Sequence, residues 1–235
     1  MRRILAILLC ASAAYATQGI DVTESQGNVD WKAVAAAGKR FAYIMATRGI
    51  DHVNSFFSQQ YDGAAHRHII RGSVHYAEPN RSTGAEQATY FLSNGGEWRN
   101  DGYTLPGAVM FENGPSGDTC WGLGPDAMVA WVADFSTTYS TRTGRLPVIY
   151  TSNDWWVQCT ANTATFSEHV LWIADYYDMS DPVPGGWTFY WLWQSERDLG
   201  NGLGAGDIWN SEYNDLVAFA KGPSPVPLDS SGKSE

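Results

Sequence analysis

Apolar residues along this chain recur with two spacings in turn, every second residue in short bursts and every third or fourth residue between them. GIDVTE (19–24) leads into the amphipathic run DWKAVAAAG, and FAYIMATRG (41–49) into VNSFFSQQYDGAAHRH. IRGSVHYAEP (70–79) leads into TGAEQATYFLSNGG, and GAVMFENG (107–114) into the long DAMVAWVADFSTTYSTRTG. The first spacing marks strands and the second marks helices that bury one face. PVIYTS (147–152), VLWIADY (170–176), TFYWLWQSE (188–196) and GDIWNSE (206–212) complete eight strand candidates, the later ones with little or no helix between them. Strand and helix in alternation predict a parallel sheet with helices outside it. Eight strands in about two hundred residues predict an α/β fold, an irregular TIM-like (β/α) barrel that is helix-poor in its second half. A doubly wound open sheet is the alternative, but no Gly-rich phosphate loop follows the first strand.

The two ends depart from this pattern. Arg2 and Arg3 precede the apolar run ILAILLCASAA, and Ala14-Tyr15-Ala16 fits the small-x-small cleavage pattern, so residues 1–16 read as an export signal. The run is too short to span a bilayer. The folded domain is expected over 17–221, and the Pro- and Ser-rich 222–235 reads as a flexible tail. Cleavage removes Cys10 and leaves Cys120 and Cys159, which in an oxidising compartment most simply form one disulfide. A metal site would need more ligands at suitable spacing. His66 and His68 have no Cys, Asp or His cluster beside them and read as solvated residues near a helix end. Neither a metal nor a cofactor is called for.

With 15 basic and 25 acidic residues the net charge is −10, and without Arg2 and Arg3 it is −12. That balance disfavours nucleic acid and anionic membrane as partners. Eleven Trp and twelve Tyr offer flat faces suited to sugar rings, although aromatics also fill cores.

In a parallel barrel the strand C-termini converge on the active-site mouth. Polar residues expected there are Asp21, Arg48, Glu78, Glu112 and Asp207, and closure would set Asp21 beside Asp207. A single strand-end acid is more often a helix cap or an ion-pair partner, whereas several converging acids on an aromatic-rich mouth point to glycan chemistry. Tyr76, Tyr150, Trp155, Trp191, Trp193 and Trp209 lie on or just after strand candidates, and packing is expected to claim at least half of them. GPSGD (114–118) is not the G-x-S-x-G nucleophile elbow. Asn80-Arg81-Ser82 matches the N-glycosylation acceptor pattern.

The stretches GIDVTESQGNVDWKAVAAAGKRFAYI, DHVNSFFSQQYDGA, GSVHYAEPNRS, LPGAV, PSGDTC, TGRLPVIYT, DWWVQCT, LWIA and GWTFYWLWQ together resemble glycoside hydrolase family 25. These are the Chalaropsis-type lysozymes, which cleave the β-1,4 bond after N-acetylmuramic acid. The likeness covers most of residues 19–220. It implies a secreted, extracellular, monomeric muramidase acting on peptidoglycan, an irregular barrel and a Cys120–Cys159 bridge. It also implies catalytic roles for Glu112, Asp21 and Asp207. Around them Tyr76, Tyr150, Trp193, Glu78 and Arg48 are expected to bind substrate.

The family's fourth-strand Asp-x-Glu, however, falls on Met110-Phe111-Glu112, so the general acid is present and the stabilising Asp is missing. Where relatives commonly read Ile-Lys-Ala-Thr-Glu-Gly, this chain has Ile44-Met45-Ala46-Thr47-Arg48-Gly49, and where they often read Ala-Arg-Pro-Asn it has Ala77-Glu78-Pro79-Asn80. Arg48 and Glu78 would keep an ion pair with its signs exchanged. Met45 and Met110 would remove opposite charges together, a change that a buried site tolerates better than losing one partner. Two functions follow from the resemblance: a muramidase of weakened or altered activity, or a non-catalytic glycan-binding protein on the same barrel.

Overall fold

The structure is a computed structural model that describes residues 16–114, 117–177 and 183–222. The leader, apart from Ala16, and the tail, apart from Gly222, lie outside the described residues. The first half of the domain repeats strand and helix: β1 (Thr17–Val22), α1 (Trp31–Ala36), β2 (Phe41–Arg48), the two-residue β3 (His52–Val53), α2 (Phe57–His66), β4 (Ile70–Tyr76), α3 (Gly84–Ser93), β5 (Ala108–Met110) and α4 (Pro125–Thr143). The second half runs β6 (Val148–Thr151), α5 (Asn153–Thr160), β7 (Leu171–Ala174), β8 (Leu192–Glu196), β9 (Ala205–Trp209) and α6 (Tyr213–Lys221). Local chemistry sets several helix ends. Asp30 accepts the Lys32 and Ala33 amides at the start of α1, Thr83 and Glu86 form a capping box on α3, and Pro125 opens α4.

The sheet order is β1-β9-β8-β7-β6-β5-β4-β2-β3, and β1 also pairs with β2, so eight strands close into a barrel and β3 hangs on the edge of β2. The pairings from β1 through β2 and β4 to β8 are parallel, whereas β9 runs antiparallel to both β8 and β1. This corrects the expectation of an all-parallel sheet. A parallel return needs a crossover of a dozen or more residues. Only residues 197–204 join β8 to β9, so the chain can only double back.

Side-chain alternation sorts the residues into layers. Phe41, Tyr43, Val74, Ala108, Met110, Val148, Tyr150, Trp172 and Leu192 fill the barrel interior. Leu216 and Phe219 of α6 join this cluster at the end lined by Phe41, Ile70 and Val170, where the parallel strands begin, so α6 closes the floor. Phe111, Ile149 and Ile173 face outward onto α3, α4 and α5, while Ile20, Ala42 and Ile44 face α1 and α2. Cys120 and Cys159 are disulfide-bonded, tying the segment after β5 to α5. His66 and His68 are exposed at the end of α2. With the floor packed, the other end of the barrel is left for a site.

Candidate active site

Glu112 lies two residues past Met110, on the inward face of the chain as it leaves β5. It lines a cavity of about 450 Å³ at the barrel mouth, together with Tyr150, Trp155, Asp175, Tyr176 and Arg197. Trp121 donates its Nε1 proton to the Glu112 carbonyl at 2.9 Å, which anchors the backbone below the carboxyl group. Burial raises the Glu112 pKa, partly offset by a hydrogen bond from Tyr150 and by the Arg197 charge. A carboxyl group in that setting holds its proton to higher pH than a solvated glutamate and can deliver it to an oxygen in the cavity.

A chain of polar side chains runs inward from this acid. The Tyr150 hydroxyl lies 3.2 Å from Glu112 Oε1 and 2.9 Å from Gln194 Oε1, and its one proton serves one of them at a time. Tyr176 also donates its hydroxyl to Gln194 Oε1. With its oxygen so occupied, Gln194 turns its amide to Asp21 Oδ2 at 2.6 Å. Asp21 in turn contacts Asp207, which accepts from Trp172 Nε1 at 3.0 Å. Asp207 Oδ2 is buried with no ordinary donor in reach. Burial pushes Asp21 up to about 6, and burial beside the Asp21 charge pushes Asp207 well above the usual carboxylate range, so the pair resists carrying two charges.

The reversed β9 decides where these two acids stand. Asp21 pairs with Ala205, and Asp207 pairs with Gly19, one step deeper. Asp207 is 1 % exposed and supports Asp21 from within the barrel instead of standing at a strand end on the mouth. Gly204 is needed for the approach: its φ is +90°, and a Cβ there would meet the Asp21 carbonyl oxygen at 2.1 Å.

The other expected residues divide between groove and packing. Arg48 Nε stands 3.5 Å from Glu78 Oε1, and Arg81 Nε is 3.5 Å from Glu78 Oε2, so the exchanged pair exists and has a third member. Gly49 lies against the same carboxylate, with φ +54° and room for no Cβ, since one would sit 2.5 Å from Glu78 Oε2. Tyr76 is half-buried and close enough to both Glu112 and Glu78 for their charges to raise its pKa to about 12, with burial the larger cause. Trp193 points outward between inward-facing Leu192 and Gln194, packs against the helical layer and donates to the Asp175 carbonyl at 2.7 Å. Its ring is therefore outside the cavity wall. Trp191 and Trp209 stack on each other in the interior cluster, and Trp155 stacks on Phe111 while lining the cavity.

Met110 is 7 % exposed and sits in register between Tyr76 and Tyr150. Met45 follows Tyr43 on the inward face of β2 and pairs with Val74, so β4 separates the two methionines. Sequence reading passed over Gln194, Tyr176, Trp121 and Arg197. Glutamine in an aromatic-rich strand carries no spacing signature, and the WLWQSE run supplied the only hint.

Residues 20–199 match the family described as glycosyl hydrolases family 25. An N,O-diacetylmuramidase of Arthroderma benhamiae is 43% identical over 210 residues, which cover 89% of this chain and 88% of that protein. One from Chalaropsis sp is 39% identical over 210 residues, covering 87% and 99%. The solved muramidase from Acremonium alcalophilum superposes with a TM-score of 0.85 at 45% identity, over 88% of this chain and all of that one (100%).

Proposed function

The chain belongs to glycosyl hydrolase family 25, and from that premise we propose that it is a secreted muramidase-type enzyme, cleaving the β-1,4 bond of peptidoglycan at a rate lowered by Met110. The observation that carries the reading is the Glu112 carboxyl group, held in the cavity wall by Tyr150 and linked through Gln194 to the Asp21–Asp207 pair. Glycoside hydrolysis needs an acid for the leaving oxygen and a negative group for the oxocarbenium-like centre. Glu112 supplies the acid. Asp21 is the member of the pair nearer the mouth, and Asp207 keeps the pair's proton so that Asp21 carries the charge. The missing carboxylate at 110 removes a stabiliser of a kind worth about 10²- to 10³-fold in rate. Tyr76, Arg48 and Glu78 border the groove.

Export is supported by the leader pattern, by a barrel whose first strand begins at Thr17, and by the disulfide. The acidic net charge fits a protein that acts as a monomer on a glycan and not on nucleic acid or membrane.

The test is release of reducing ends from defined peptidoglycan, beside pull-down on the insoluble polymer. Slow release that Glu112→Gln abolishes, with binding kept, is the expected result. Binding without any release would favour the non-catalytic glycan-binding reading, to which the packing of Met110 into the apolar interior lends weight. No binding at all would mean that the groove has left muramyl glycans.

A further inference from the structure

Arg197 leaves β8 at the edge of the cavity that Glu112 lines. Its guanidinium carbon lies 4.2 Å from the centre of the Tyr176 ring, and Tyr176 is itself held by Gln194. Stacking occupies the flat face of a guanidinium and leaves its N–H donors free along the edge, the part that grips a carboxylate with two parallel hydrogen bonds. Among the described residues no ion pair or hydrogen bond takes up those donors. The other cations at the mouth are engaged: Arg48 and Arg81 share Glu78, and Arg81 also holds Asp51 at 2.9 Å. Among the described residues Arg197 is thus a cation stacked on Tyr176 with no carboxylate paired to it, on the wall of a cavity also lined by Glu112, Asp154 and Asp175.

A neutral sugar chain needs no such charge. An acidic one needs it, because a protein of net charge −10 repels polyanions except where a local cation offsets the field. We propose that Arg197 is a specificity-determining residue whose guanidinium receives a carboxylate carried by the substrate, so that the groove takes acid-bearing muramyl glycans over neutral chitin-type chains. This rests on the muramidase reading of the site. The carboxylate could belong to the lactyl group of the sugar or to its peptide stem, and the chemistry of recognition is the same for both.

Calorimetric titration of the full chain carrying Glu112→Gln, which prevents turnover, separates the cases. The ligands are a peptide-free GlcNAc–MurNAc tetrasaccharide, its peptide-bearing counterpart, and chitotetraose. Adding Arg197→Ala should weaken binding of at least one acid-bearing glycan about tenfold, the size of one exposed charge-assisted contact, and leave chitotetraose unchanged. Arg197→Lys should restore part of the loss, and about 1 M salt should erase the difference. Loss with the peptide-free glycan assigns the lactyl group, and loss confined to the peptide-bearing one assigns the stem. Equal loss for all three ligands would reduce Arg197 to a prop for Tyr176, and no loss would remove it from recognition, and either result overturns the proposal. If the Glu112→Gln protein binds none of the three, the muramidase reading falls first and this inference with it. Melting curves of each variant confirm that the fold is intact.

Discussion

On one side of the barrel mouth, Glu112, Tyr150, Gln194, Asp21 and Asp207 form a continuous run of polar neighbours, most of them hydrogen-bonded. On the other, Met45 and Met110 present thioethers from strands on either side of β4. Both sides face the inside of the barrel, with Met45 only partly buried there, so the difference is in how much each neighbour constrains the next. A buried polar group must keep every partner, because an orphaned one costs the full desolvation penalty. A buried methionine asks only for volume and adapts its shape to what surrounds it. The polar side is therefore locked residue by residue, while the methionine side tolerates any side chain that fills its volume.

The comparison breaks most visibly if charge is put back on the methionine side. Met110→Asp combined with Met45→Lys should raise the rate of reducing-end release by up to about 10²- to 10³-fold. Met110→Asp alone should gain less and melt lower, because the new carboxylate is buried without a cation. Equal gains with and without Met45→Lys would show that the two positions are not coupled.

A smaller effect sharpens the contrast through stability alone. Gln194→Leu strips partners from Asp21, Tyr150 and Tyr176 and should cost about 1–3 kcal/mol in chemical denaturation. Met110→Leu keeps volume and apolar character and should cost less than about 1.5 kcal/mol. If the leucine at 110 proved the more damaging, the apolar side would be the constrained one.

The smallest effect is a pH dependence. Burial raises Asp21 to about 6 and Asp207 well above its usual value, so the folded state keeps protons that the unfolded chain releases near pH 4. Their contribution to stability is full below about pH 4 and is lost as pH rises through the folded values. His75 and His169 act oppositely: burial lowers both to about 4, so they contribute stability above about pH 6.5 and lose it as pH falls. Asp207→Asn removes one raised carboxyl and gives Asp21 a neutral donor. Relative to the parent protein it should gain about 1 kcal/mol or more between pH 4 and 8, measured as the difference of two melting series. A constant difference across that range would mean that the pair does not share a proton.

Much of this was legible beforehand, for reasons particular residues make plain. Eight strand candidates could be read because strands buried on both faces, such as β5 and β6, show as short apolar bursts between turn residues, and the α4 run could be read because Met128, Trp131, Val132, Phe135 and Tyr139 repeat at helical spacing. The nearness of Asp21 and Asp207 followed from closure alone. The direction of β9 did not, although the short Gly200-Asn201-Gly202-Leu203-Gly204 connection carried the signal of a hairpin. Trp193 was misplaced because sequence shows which residues alternate but not which alternate face points inward.

The amino-acid sequence by itself determined the element order, the apolar faces, the pairing of two cysteines and the chemical inventory of the mouth. These follow from local periodicity and residue type, which act over a few positions. Only the tertiary structure decided that Asp207 lies beneath Asp21, that Gln194 joins Tyr150 to Asp21, and that Arg197 rests on Tyr176 facing the cavity of Glu112. Asp21 and Gln194 are 173 residues apart in the chain, and contacts at that range arise only when the barrel closes and burial leaves polar groups few partners within reach.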